Sequence, residues 1–448
     1  VIDVPIREAA RSDDPALDAL LKRALSLHPA VMDLGLERMR RLLADLGDPQ
    51  DALPPVFHVA GTNGKGSTCA FLRACLEAAG KRVHVYTSPH LVRFNERIRV
   101  AGQLIADDAL AAALDEVMVR NQGQGVTFFE LTTATALMAF AATPADAAII
   151  EVGMGGRLDA TNVFEAPAST GIAQLGLDHQ KWLGRSILQI AAEKAGIARP
   201  GVPMVHAKYP RTVAARVAEV AGTAGARLVP RGVDWDAAEY RGELHYRDAG
   251  GVLHLPRPRL AGPHQQDNAA LAVAMLRHQQ AIEVPEAALR AGLGWADWPA
   301  RLQRLDATPL GRLLPDGSEL WLDGAHNPAG ARALAQAFAH HSLSVRPLHL
   351  IAGMLESKDA RQWLAGFSGR LTCFHPVPIE GHRAHPPEVL AALARGEGLS
   401  ARPAASVRAA LEAIAAAHAG EARPPVVIIA GSLYLAGAVL AEAGVLPT

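Results

Sequence analysis

The sequence predicts an α/β protein of two domains. The first is an N-terminal P-loop-type, mostly parallel sheet flanked by helices, and the second a C-terminal Rossmann-like α/β domain. Three observations predict this. At 448 residues the chain exceeds one ordinary core. Short apolar runs alternate with stretches of helical periodicity, the pattern of parallel sheets covered by helices. A glycine-rich turn joins the first apolar run to a helix, as in a phosphate-binding βαβ unit.

Taken in order, residues 1–14 are polar and expected to be loose. Asp14-Pro15 opens a helix with leucines at 17, 20 and 21. "LHPAVMDLGLERMRRLLADLG" follows, then a loop carrying Pro49, Pro54 and Pro55. "VFHVAG" (56–61) reads as a strand running into the glycine turn, "STCAFLRACLEAAG" (67–80) as a helix stopped by Gly80, and "RVHVYTS" (82–88) as the next strand. "ELTTATALMAFAA" is helical. "DAAIIEVG" (146–153) and "STGIAQLG" (169–176) are buried strands, "SILQIAAEKAGIA" (186–198) a helix and "VPMVHAK" (202–208) a strand.

From about 226 to 260 the texture changes, and "YRGELHYRDAGGVLHL" reads as a hairpin. Helices near 265–280 and 285–295 precede "WADWPARLQ", the expected linker, which divides the chain into 1–298 and 299–448. A second alternating series has strands at 319–323, 347–353, 371–377 and 425–432. Its helices lie near 329–340, 358–367, 386–395, 405–418 and 433–443.

Half the residues are apolar and a fifth are charged, with 44 basic against 45 acidic side chains. That balance argues against a dedicated nucleic-acid binder. Cys69, Cys75 and Cys373 match no zinc spacing and read as structural thiols of a reducing compartment. No signal architecture or membrane-length apolar run is visible, so a cytoplasmic monomer without a membrane partner is expected.

The chemistry begins at "VAGTNGKGST" (59–68). The usual phosphate loop has four residues between its glycines and a hydroxyl directly after lysine. Here Thr62 and Asn63 alone separate Gly61 from Gly64, Gly66 follows Lys65, and the hydroxyl comes at Ser67. Strand before, helix after and lysine within still favour phosphate over a plain turn.

Glu151, at a strand's C-terminal end, suits either a Mg²⁺ site or an ion pair with Arg157. Gly153, Gly155 and Gly156 would let backbone pass close to a ligand. Arg157 suits a carboxylate or phosphate fork, and Asp159 and Asn162 are polar candidates. Asp178-His179 follows a third strand. Ser88 ends the strand beside the loop, while Arg93, Arg97 and Arg99 read either as a solvated face or as partners of an anion. Lys194 reads by itself as a surface lysine whose stem covers apolar area. Asp323, with Asn327-Pro328 starting a helix, suits either ribose binding or a capping loop.

Together "HVAGTNGKGSTCAF", "SPHLVRFNERIRV", "TFFELTTATA", "EVGMGGRLDATNV", "LGLDH…LG", "EKAGI", "GPHQQDNAALA", "LDGAHNPAGA" and "GSLYLAG" closely resemble the folylpolyglutamate synthase/dihydrofolate synthase family, within the Mur-type ATP-dependent amide ligases. The resemblance spans roughly 20–440, and the ordered set of motifs is far more specific than any one of them. It makes the shortened loop the superfamily's own phosphate loop.

The resemblance implies glutamate ligation through an acyl phosphate, with dihydropteroate, reduced folates and L-glutamate as substrates. ATP and two Mg²⁺ are implied, with room for a monovalent cation. Gly61, Thr62, Asn63, Gly64, Lys65, Gly66 and Ser67 would hold the triphosphate. Ser88 and Glu151 would bind one Mg²⁺ and His179 a second. Lys194 matches a lysine that the family carbamylates, reversing its surface reading. Asn268 matches an adenine-side contact, and Arg301 and Asp323 match ATP contacts, so that ATP is expected between the domains. His326 would lie near the reaction centre, with Lys65, Lys194 and His179 as the other catalytic groups. Thr127, Phe129 and Asp159 would line the pterin pocket, with Arg157 beside them.

Met154, Gln180, Ala300 and Glu356-Ser357 depart from the family's usual residues. The "LHPAVMDLGLERMRRL" stretch resembles members that also make dihydrofolate, which favours bifunctionality over polyglutamylation alone. A cell-wall Mur ligase would carry a whole domain ahead of the loop, and only 60 residues precede Gly61. A nucleotide switch would carry a guanine-reading motif, which is absent.

Overall fold

In the computed structural model, Ser12 and residues 14–28, 34–339 and 346–447 are described. The expected loose tail falls largely outside them, as does the Pro29–Asp33 part of the N-terminal motif. The chain forms two compact units, Val1–Arg259 with His264–Trp298, and Leu260–Pro263 with Pro299–Thr448.

Among the described residues, the first unit has eleven strands: β1 Val56–Ala60, β2 Val83–Tyr86, β3 Ile98–Val100, β4 Gln103–Leu104, β5 Ala147–Glu151, β6 Ser169–Ile172, β7 Pro203–His206, β8 Arg227–Pro230, β9 Trp235–Tyr240, β10 Glu243–Asp248 and β11 Gly251–Pro256. The first eight form one sheet in the order β4-β3-β2-β5-β1-β6-β7-β8. It is parallel from β2 to β8, with β3 and β4 added antiparallel at one edge. β1 and β5 are buried along their whole length, as strands covered on both faces must be. One core packs helices Pro15–Ser26, Glu37–Asp45, Asp107–Asn121 and Phe128–Ala141 on one face, and another packs Ile187–Ala195 and Arg211–Thr223.

The strands read from the sequence are present. Four details differ. The helix after the loop is Lys65–Ala78, starting two residues before Ser67. Serine favours the cap position, but Gly64 with φ 85° turns the chain first, and Thr68 N–H already donates to Gly64 O. The expected hairpin is a three-stranded antiparallel sheet, β11-β10-β9. The helix Asp107–Asn121 escaped notice because its inward residues are few, at Leu110, Leu114, Val117, Met118 and Asn121. Strand β8 has one buried residue, Val229, and so carries no apolar run.

The second unit has β12 Gln303–Arg304, β13 Glu319–Leu322, β14 Leu348–Ala352, β15 Cys373–Pro376 and β16 Val426–Ala430, ordered β12-β13-β16-β14-β15. All pairings but β12–β13 are parallel. No helix among the described residues is long and apolar enough to cross a membrane. The three cysteines are free and buried, consistent with structural thiols.

This unit also buries a chain of imidazoles. His349 Nδ1 lies 3.0 Å from His375 Nε2, His349 Nε2 lies 2.9 Å from His418 Nε2, and His418 Nδ1 lies 2.8 Å from Glu421. Glu421 accepts only, so His418 donates to it through Nδ1–H, and the chain can then run His375 to His349 to His418 with every ring neutral. Burial, reinforced by His375, His418 and Arg402, lowers His349 from 6.5 to about 3. Burial and Arg402 lower His375 to about 4. A lowered folded value means that the unfolded chain binds protons first. Stability is therefore full above about pH 6.5 and is lost as pH falls toward about 4 for His375 and about 3 for His349. Urea unfolding at pH 7.5 and 5 should show this loss, and His375→Gln should reduce its pH dependence. An unchanged pH dependence would remove the linkage.

Candidate active site

The phosphate loop, Ser88, Glu151 and Asp178-His179 lie at or after the C-terminal ends of β1, β2, β5 and β6. β1 lies between β5 and β6, so the loop after it is flanked by the ends of both neighbours. Thr62 and Asn63 N–H donate to Gln174 O, and Thr62 Oγ1 exchanges hydrogen bonds with Gly176. These bonds hold the loop open over the helix Lys65–Ala78, whose first N–H groups and positive dipole end attract phosphate.

Two glycines have specific reasons. At Gly64 φ is 85°, and a Cβ would also run into Asn268 Oδ1. That places Asn268 beside the loop. Gly66, the departure from the usual loop, lies under the Trp298 indole, and a Cβ there would come within 2.9 Å of Nε1. Trp298 was missed because its partner lies far away in sequence. Gly66→Ala should destabilise by about 1–3 kcal/mol through overpacking, and Trp298→Ala should recover part of that loss in a double-mutant cycle. Additive losses in urea unfolding would mean that the two residues do not meet.

The buried hydroxyls Ser67 Oγ and Thr68 Oγ1 have no hydrogen-bond partner in the protein. Orphaned polar atoms in such a place call for a ligand. Lys65 Nζ stands 3.8 Å from Glu151, and Ser88 N–H donates to the same carboxylate at 3.3 Å. Glu151 is 4% exposed. Arg157 instead pairs with Glu193 at 2.8 Å on the half-exposed rim, so the Glu151–Arg157 pairing is not formed.

Lys194 is the largest correction to single-residue reading. It is 4% exposed, and Nζ donates to Gly61 O at 2.8 Å, within the loop itself. Burial, with Lys65 nearby, lowers its pKa from 10.5 to about 7. A lysine in a helix is ordinarily a surface group, and only the packing of Ile187–Ala195 against the sheet turns this one inward. His179 lies on the exposed rim with φ 49°, ahead of the short helix Gln180–Leu183. The arginines separate. Arg97 is buried over Phe94 and donates to His90, Arg99 donates to Gly102 O, and Arg93 is exposed, so they form no single solvated face.

Thr127 caps Phe128–Ala141 in a reciprocal box with Glu130. Glu130 also receives two bonds from Arg38, at 3.1 and 3.0 Å, and Phe128 N–H donates to His28 Nδ1. The N-terminal segment is thus tied to the start of that helix. The Phe129 ring presses on Gly153, which leaves no room for a Cβ. Asp159 accepts from Met154 N–H, Thr161 N–H and Thr161 Oγ1–H. Burial raises its pKa despite these bonds. Thr161 also meets His58 of β1 at 2.9 Å. Glu130, Arg38 and His58 were not read from the sequence, because each acts through a long-range contact.

In the second unit, Asp323 at the end of β13 accepts from Leu302 N–H and Ala325 N–H. These bonds tie the loop after β13 to Leu302, while the helix Pro328–Ala339 is capped by Asn327, whose Oδ1 accepts from Gly330 N–H. His326 Nδ1 lies 2.8 Å from Gly324 O. Arg301 Nη1 donates to Ala300 O, and Ala300 occupies the left-handed region at φ 54°. Gly324 N–H also donates to that carbonyl, and Ala300 N–H donates to Gln303. These three bonds hold a conformation that alanine does not favour.

Residues 310–433 match the model of the Mur ligase, glutamate ligase domain. The chain is 39% identical over 368 residues to the dihydrofolate synthase/folylpolyglutamate synthase of Escherichia coli K12, covering 82% of each. It is 34% identical to the folylpolyglutamate synthase of Lacticaseibacillus casei, over 90% of this chain and 92% of that one. Among solved structures, it is similar to E. coli FolC in complex with DHPP and ADP, with TM-score 0.84, 34% identity and coverage of 96% and 98%. It is also similar to a bifunctional folylpolyglutamate synthase/dihydrofolate synthase with Mn, AMPPNP and L-glutamate bound, with TM-score 0.81, 33% identity and coverage of 97% and 99%.

Proposed function

The chain belongs to the folylpolyglutamate synthase/dihydrofolate synthase family, and from that premise we propose that it uses ATP to join L-glutamate to dihydropteroate and to the γ-carboxylate of folates. Both reactions form an amide from a carboxylate, which is a poor acyl donor in neutral water. A carboxylate oxygen attacks the γ-phosphorus and ADP leaves, giving an acyl phosphate. The glutamate amine then attacks the acyl carbon, phosphate leaves, and the amine loses a proton.

The approach of two anions has to be compensated. Lys65 and the N-terminus of Lys65–Ala78 supply positive charge where the loop turns. The buried Glu151 carboxylate is a hard oxygen donor suited to Mg²⁺, and the orphaned Ser67 hydroxyl would face the triphosphate. In this reading Ser88 and Glu151 would hold one divalent ion, and His179 with Lys194 a second. Bound there, the ions would offset phosphate charge.

The observation that carries the proposal is Lys194, a buried amine on the Gly61 carbonyl with a pKa of about 7. Much of it is neutral near pH 7, the form that adds carbon dioxide. An N–C bond would form and one proton leave, so that a carbamate anion replaces the neutral amine. Asn268, Arg301 and Asp323 are proposed nucleotide contacts, and His326 a group near the reacting atoms. Thr127, Phe129, Asp159 and Arg157 are proposed for the pterin side. The ties of His28 and Arg38 to the Thr127–Glu130 cap support a role for the N-terminal segment there.

The test is glutamate-dependent ADP release with Mg²⁺, comparing 7,8-dihydropteroate with a reduced folate monoglutamate. Turnover with both is expected. Turnover with the folate alone would reduce the activity to polyglutamylation, and turnover with neither would overturn the reading.

A further inference from the structure

The three-stranded sheet of the first unit carries a group of side chains unrelated to the phosphate loop. Alternation along β10 buries Leu244 and Tyr246 and leaves Glu243 and His245 on the opposite face. In β11 it buries Leu253 and Leu255 and leaves His254 outward. The antiparallel register sets His245 directly opposite His254, with Glu243 two residues along on the same face. One Glu243 carboxylate oxygen lies 3.6 Å from His245 Nε2 and 3.9 Å from His254 Nδ1. The two imidazole centroids are 4.4 Å apart. One ligand atom from each residue falls within 4.8 Å of the other two, and among the described residues no other His, Cys, Asp or Glu group meets that condition.

A surface ion pair is the plainer account of a histidine beside a glutamate. At 3.6 and 3.9 Å neither ring is within hydrogen-bond distance of the carboxylate oxygen that both approach, so direct hydrogen bonding does not account for the three groups converging. A dication placed among them would accept a lone pair from each. With metal–ligand distances of about 2.0–2.2 Å, donor atoms of a tetrahedral site stand about 3.3–3.6 Å apart. The two separations from Glu243, 3.6 and 3.9 Å, exceed this by at most a few tenths of an ångström, and the two histidine ligand atoms lie within 4.8 Å of each other; rotation of the solvent-facing side chains would close the remaining gap.

We propose that the outer face of β10 and β11 binds one transition-metal dication of the zinc class through Glu243, His245 Nε2 and His254 Nδ1, with water completing the shell. Two imidazoles and one carboxylate select Zn²⁺, Ni²⁺ or Cu²⁺ over Mg²⁺, which prefers oxygen ligands. The site is therefore chemically distinct from any that serves the nucleotide. Its ligands come from two strands, so the ion clips β10 to β11 at the end away from their Ala249-Gly250 turn.

The experiment titrates Co²⁺ into the chelator-stripped full chain in the presence of millimolar Mg²⁺, following visible absorption. One saturable equivalent is expected, displaced by Zn²⁺ and not by Mg²⁺. His245→Ala and His254→Ala should each weaken binding by at least about tenfold, as ligand loss must exceed the loss of a mere supporting contact. Both positions lie on a solvent-facing surface, so the metal-free variants should melt with the wild type, and Zn²⁺ should raise the wild-type midpoint alone. Glutamate-dependent ADP release should be unchanged in both. Absence of a saturable signal, or undiminished binding in either variant, overturns the site.

Discussion

Lys194→Met is expected to lower kcat by about 10²–10³-fold, the scale of losing one preorganised charged group from a reaction centre. The side chain is buried and bonded to Gly61 O, so its removal acts within the loop that would hold phosphate. Stability should change little. The variant loses one hydrogen bond, worth about 1 kcal/mol, but also removes an amine whose charged form burial disfavours. Methionine fills the same volume without the nitrogen, so the thermal midpoint separates catalysis from folding. Lys194→Arg restores positive charge, yet arginine stays protonated and cannot form a carbamate. If charge alone mattered, arginine would recover activity. Recovery by arginine, or wild-type kcat in the methionine variant, would sink the proposed role.

Glu151→Ala is the second large effect, with Mg²⁺-dependent turnover expected to fall by at least about 10³-fold while the fold persists. Two groups lose their partner at once, the Lys65 ammonium at 3.8 Å and the Ser88 N–H at 3.3 Å. The Lys65 charge is then less compensated, so affinity for metal-free ADP should hold or rise. Turnover and nucleotide affinity are thus predicted to move apart, which a simple collapse of the loop would not produce. Calorimetric ADP binding without metal, set beside ADP release with graded Mg²⁺, measures both. An unchanged Mg²⁺ dependence would place the divalent ion elsewhere.

Between Lys194 and Glu151 lies the difference between what a sequence shows and what it hides. Glu151 was legible as a candidate because a charged residue ending a buried apolar run stands at a strand's C-terminal end, where open α/β sheets bind ligands. Its partner was not, and the structure pairs Arg157 with Glu193 instead. Lys194 was legible only through its resemblance motif. Taken alone, an isolated lysine in a helix reads as a surface group.

The sequence by itself determined the alternation of strands and helices, the glycine loop with its lysine, and the family. These are written in local periodicity and in short contiguous motifs, which need no knowledge of the distant chain. Tertiary structure alone decided that Lys194 reaches the Gly61 carbonyl, that Trp298 occupies the space above Gly66, and that Arg38 and Glu130 join the N-terminal segment to the Thr127 cap. It likewise decided that β10 and β11 set His245 against His254. Each of these depends on sheet order, strand register or helix packing, which bring together residues far apart in the chain, and a buried charge reports its environment only once the groups around it are in place.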